Sequence, residues 1–62
     1  MLMAALNDRM FDWLGTQGYE GALPDRRYAY FKANDYATWR DVYNANGGTG
    51  QLNDWLNTFF GG

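Results

Sequence analysis

Gly18-Tyr19-Glu20-Gly21-Ala22-Leu23-Pro24-Asp25 and Gly47-Gly48-Thr49-Gly50-Gln51-Leu52-Asn53-Asp54 are one phrase, G-x-x-G-x-L-x-D, written twice at an offset of 29 residues. Its second half stands a third time as Leu6-Asn7-Asp8. An apolar pair follows five and six residues beyond each aspartate: Trp13-Leu14, Tyr30-Phe31 and Phe59-Phe60. Counted from the leucine, Leu6, Met10, Trp13 and Leu14 fall at i, i+4, i+7 and i+8, and Leu23, Arg27, Tyr30, Phe31 and Leu52, Leu56, Phe59, Phe60 repeat the spacing. That spacing is one face of an amphipathic α-helix. The repeated unit is therefore a glycine turn that opens a short helix.

Three helices follow from the three copies. The first starts as early as Met3 and is stopped by Gly15 or Gly18, either of which can take the left-handed conformation. In the second, Pro24 suits a first helical turn, where its missing N–H would be unpaired anyway, and the helix ends near Ala33-Asn34. Between the second and third copies, Tyr36, Trp39 and Tyr43, with Val42 beside them, signal a further helix. Thr38-x-x-Asp41 reads there as a capping box with Asp in place of Glu, and Asn34-Asp35 is an alternative start. Strand patterning is nearly absent. The expected fold is all-α, three or four short helices joined by glycine-rich turns, in a single small domain over residues 1–62. Its core is read as Trp13, Leu14, Leu23, Tyr30, Phe31, Trp39, Leu52 and Phe60.

The leucine of each copy packs back on the first helical turn as in a hydrophobic staple, and the aspartate satisfies N–H groups there and favours the dipole. Asp8, Asp25 and Asp54 are accordingly read as helix-capping residues, each worth about 1 kcal/mol.

Size limits what such a chain can do alone. A domain of 62 residues holds a core that rarely supplies more than about 3 to 5 kcal/mol. Disulfides are excluded by the absence of cysteine, and a structural zinc site is disfavoured by the absence of histidine as well. Of the usual aids to stability, a partner remains. Twelve aromatic side chains, 19% of the chain, are more than a domain this small is expected to hide, and surplus rings are common where proteins dock. The alternative is that large rings compensate for a short chain, each burying about 150 to 250 Å².

Chemistry finds no reagent here. Neither serine nor cysteine is present as a nucleophile, and no histidine as a base. Asp8 and Asp12 share a helix face at i, i+4, but a chain this small lacks the deep pocket that moves a carboxyl pKa by several units. Gly47-Gly48-Thr49-Gly50 lacks the lysine of a phosphate loop, and Asp41, Asn44 and Asn46 are spaced three and two apart where a calcium loop needs twos. No enzymatic activity, cofactor or metal is expected. With one lysine, four arginines and a net charge of −2, no basic stripe exists for nucleic acid. The longest apolar run, residues 1–6, is short of the roughly 7 to 15 residues of a signal-peptide core, so neither a secretory signal nor a membrane span is expected.

What varies between copies marks the candidate contacts. One residue past the aspartate stand Arg9, Arg26 and Trp55; three past it stand Phe11, Tyr28 and Asn57. Both positions lie off the apolar stripe. Phe11, Tyr28 and Trp55 are thus the rings hardest to bury within the chain and the candidate partner contacts.

Gly18-Tyr19-Glu20-Gly21-Ala22-Leu23-Pro24-Asp25-Arg26 and Gly50-Gln51-Leu52-Asn53-Asp54, each leading into an aromatic helix, resemble segments of small virion structural proteins of tailed bacteriophages. In those proteins G-x-L-N-D helical units end chains or make up whole small proteins; Pro24 in place of Asn, and Arg27 in an apolar slot, depart from the pattern. The resemblance implies a virion-located, multi-copy accessory component of the particle, in capsid decoration, head–tail joining or tail attachment, with other virion proteins as partners. The alternative from another class is a small adaptor or regulatory domain that binds one soluble host protein.

Overall fold

In a computed structural model describing residues 5–61, four α-helices follow one another and no strand occurs among those residues. They are α1 (Leu6–Thr16), α2 (Leu23–Asn34), α3 (Trp39–Ala45) and α4 (Leu52–Phe59). The all-α reading holds, with the larger of the two helix numbers. A start at Met3 lies outside the described residues; α1 begins at Leu6 from an extended Ala5.

The three copies of the phrase open their helices alike, but not by the expected route. Ala5, Ala22 and Gln51, the residues before each leucine, are extended N-caps with ψ of 158°, 163° and 138°, and none closes a side-chain cap. Leucine is the first helical residue and aspartate the third. The capping roles of Asp8, Asp25 and Asp54 are therefore corrected: each carboxylate sits in the first turn, where it favours the macrodipole without capping an N–H. The turn closes through the backbone instead, the N–H groups of Arg9, Arg26 and Trp55 donating to the carbonyls of Ala5, Ala22 and Gln51 at 3.0 to 3.1 Å. Apolar packing sets this register, because Leu6, Leu23 and Leu52 all lie against the core. An aspartate at the cap would leave its leucine outside the helix.

Local signals are read more directly at two other ends. Thr38 and Asp41 form a reciprocal capping box: the Thr38 hydroxyl accepts from Asp41 N–H, and the Asp41 carboxylate accepts from the N–H groups of Thr38 and Ala37. α2 ends at Asn34, and Asp35 takes the left-handed conformation (φ 59°), which an Asp tolerates at some cost. Gly18 and Gly21 also have positive φ, 95° and 100°, and Gly47 and Gly50 repeat the pattern, so each G-x-x-G places two glycines in a backbone conformation that L side chains rarely adopt. Gly15, the other candidate stop, lies inside α1.

α1 packs against both α2 and α4, and α4 packs against α3. The smallest principal extent, 15 Å, is what two helices in contact require at an interaxial distance of about 8 to 10 Å. The folded chain exposes 4298 Å² where an extended chain of its mass would expose about 10,000 Å². Buried side chains are Met10, Leu14, Tyr30, Val42, Leu56 and Phe60. Leu14, Tyr30 and Phe60 were expected in the core; Trp13, Leu23, Phe31, Trp39 and Leu52 pack around it while half-buried. Val42, fully enclosed, comes from α3.

Rings supply most of the half-buried layer packed against this interior. Ten of the twelve aromatics form one connected set of ring contacts with centroids 4.8 to 6.0 Å apart. Tyr30 is its hub, touching Trp13, Tyr19, Phe31, Tyr36 and Trp39. Although α2 and α3 make no close backbone approach, Trp39 joins them by stacking on Tyr30 and meeting Phe31 edge-on. The aromatic excess thus compensates for the short chain.

Candidate functional site

Five of the six residues at the two variable positions beside the repeated stripe lie where helices meet. Arg26, one past its aspartate on α2, reaches Phe11, three past its aspartate on α1. The guanidinium carbon lies 3.6 Å from the Phe11 ring centroid, Nη1 donates to the Phe11 carbonyl at 3.2 Å, and Nε donates to the Gly21 carbonyl at 2.7 Å. Gly15 makes room, since the guanidinium occupies the space a side chain there would fill. Arg9, the corresponding residue of α1, donates to the Asn57 side chain of α4 at 2.6 Å, again one-past onto three-past. The lateral order α2, α1, α4 is therefore held by the same pair of repeat positions, used twice.

Only one three-past residue has no such cover. Phe11 lies under Arg26, Asn57 is bonded to Arg9, and Tyr28 on α2 is 67% exposed, outside the ring network. Trp55 stacks on Phe59 at 4.8 Å and meets Tyr43 edge-on at 5.4 Å, so it locks α4 to α3. Of the three rings expected to face a partner, the structure brings Phe11 and Trp55 into helix–helix contacts and leaves Tyr28 on the surface. A sequence signal for the locks did exist: arginine recurs at the same repeat position in Arg9 and Arg26, with Gly15 one helical turn beyond Phe11.

Tyr28 stands with Asp25 and Lys32, which are also exposed. At 100° per residue all three lie within about 40° of the point opposite the buried Tyr30. Neither Asp25 nor Lys32 engages in a hydrogen bond between described side chains. Arg27, in the slot where the other copies place the buried Met10 and Leu56, is half-buried.

Elsewhere the chemistry is sparse. Asp8 and Asp12 are both exposed, no pocket forms, and no group of three or more potential metal-ligating side chains gathers among the described residues. Among those residues, no helix is long and apolar enough to cross a membrane. Burial pushes the Tyr30 hydroxyl above its ordinary range, with further contributions from Tyr36 and Tyr19. The Trp39 indole N–H is buried without an acceptor among the described residues. No protein family matches the chain, and no curated protein and no solved structure is significantly similar to it.

Proposed function

We propose that this chain is a non-enzymatic structural component of a larger multi-copy protein assembly, a tailed-phage particle, docking through the outer face of α2. The observation that carries this reading is Tyr28, which stays exposed while every other ring is drawn into the fold or covered by a cation. Tyrosine is enriched at interfaces because its ring supplies apolar area and its hydroxyl a hydrogen bond at small entropic cost. The G-x-L-[NP]-D phrase, with its likeness to small virion proteins, supplies the particle context, whether capsid decoration, head–tail joining or tail attachment.

The test is to purify particles from the source and quantify the chain by mass spectrometry. Stoichiometric copy number in the particle is expected, together with loss of incorporation for Tyr28→Ala. Absence of the native chain from the particle would overturn the reading and favour the single-partner adaptor.

A further inference from the structure

We infer that the first partner of the α2 outer face is a second copy of this chain, bound by antiparallel self-pairing of α2 about a twofold axis beside Tyr28. This rests on the reading of that face as the docking surface, and it goes further by naming the occupant. Asp25, Tyr28 and Lys32 run along the exposed face as anion, ring, cation at i, i+3 and i+7. A helix rises about 1.5 Å per residue, so the two charges stand about 10 Å apart along the axis, too far to pair with each other within one helix. Their midpoint falls half a residue from Tyr28.

Rotation by a twofold axis through that midpoint reverses the order. Asp25 of one copy then faces Lys32 of the other, Lys32 faces Asp25, and the two Tyr28 rings meet at the centre about 1.5 Å out of alignment, close enough to stack with offset. Parallel pairing in register would instead set like charges together. The face is therefore self-complementary in one orientation only, as an isologous contact requires. All three side chains are exposed in the single chain, so pairing needs no rearrangement of the fold.

One helix face with a single central ring is a small contact, below the roughly 1,200 Å² of a stable interface. A weak, reversible dimer is expected, strengthened wherever many copies are held together.

Sedimentation equilibrium of the full chain, across a concentration series in about 20 mM and about 500 mM salt, tests this. The native chain should dimerise reversibly, more weakly at high salt. Asp25→Lys and Lys32→Asp, each of which sets like charges across the axis twice, should each lower the association constant at least about tenfold. An equimolar mixture of the two variants should form a heterodimer, and the double variant Asp25→Lys with Lys32→Asp should regain the native constant. Circular dichroism of each variant confirms that it is folded, and Tyr28→Ala should also reduce dimerisation. A native chain that stays monomeric throughout, or variants that associate as the native chain does, or a mixture that fails to pair, would overturn the inference. Loss of Tyr28→Ala from particles alongside a monomeric native chain would overturn self-pairing while leaving the proposed function standing.

Discussion

α1 and α2 begin from the same phrase and place an aromatic ring at the same repeat position, yet Phe11 is covered and Tyr28 is not. Their sequences differ locally in one relevant place: one turn beyond the ring stands Gly15 in α1, which leaves room for Arg26, and Lys32 in α2. The neighbour differs too. α1 lies between α2 and α4, so its off-stripe side meets the Arg26 guanidinium; α2 has α1 alone as a close helical neighbour, so its far side meets solvent. A position beside the apolar stripe is interior or surface according to how many helices flank it.

The comparison breaks first at the third helix of the set. Trp55→Ala should cost about 2 to 3 kcal/mol, because the indole is packed between Phe59 and Tyr43. Against the roughly 3 to 9 kcal/mol expected for 62 residues, a clear fall in melting temperature by circular dichroism should result. An unchanged melting curve would return Trp55 to the surface.

Next in size is the lock itself. Arg26→Ala removes a cation over a ring and two hydrogen bonds to backbone carbonyls, and should cost about 1 to 2 kcal/mol in chemical denaturation. Arg26→Lys should recover only part of this, since an ammonium cannot lie flat on Phe11 while reaching both carbonyls. Full recovery would mean that charge, rather than the planar fork, joins α1 to α2.

Alkali tests the hub that both helices share. Because burial raises the Tyr30 pKa, the unfolded chain releases that proton more readily than the folded one. The contribution is fully present below the ordinary phenol value of 10.0 and is lost as pH rises through the folded value. Stability should therefore decline above about pH 10, and Tyr30→Phe should decline less steeply in the same denaturation series. Identical slopes would show that other tyrosines carry the alkaline loss.

Smallest of all, Tyr28→Ala should change stability by no more than about 0.5 kcal/mol, the usual range for an exposed side chain. The contrast with Trp55→Ala sharpens the distinction between a ring that holds the fold and one that faces outward. A large loss at Tyr28 would erase it.

Much of the architecture could be read in advance where the cause is local. Thr38 and Asp41 form their capping box because the groups involved are three residues apart, and α2 stops at Asn34 before a left-handed Asp35 for reasons contained in a few bonds. The aspartates of the phrase show where local reading fails. A leucine and an aspartate two apart are compatible with more than one helix register, and it is the burial of Leu6, Leu23 and Leu52 against other helices that makes aspartate the third residue rather than the cap. The helix–helix contacts of Phe11 and Trp55 escaped a periodicity reading for a related cause: periodicity locates the most buried stripe and says nothing about what flanks it.

Sequence alone determined that the chain is helical, roughly where its helices lie and which positions share the main apolar face, since these depend on spacing and on backbone chemistry within one turn. Tertiary structure decided that α1 is flanked on two sides, that Arg26 covers Phe11 and that Arg9 holds Asn57, because those contacts join residues 15 and 48 positions apart. By drawing the other rings into contacts, it also decided that Tyr28 stays exposed. Lateral packing is a matter of which surfaces are left after the core has formed, and spacing within a single helix records it only where, as at Gly15, a residue leaves room for the neighbour.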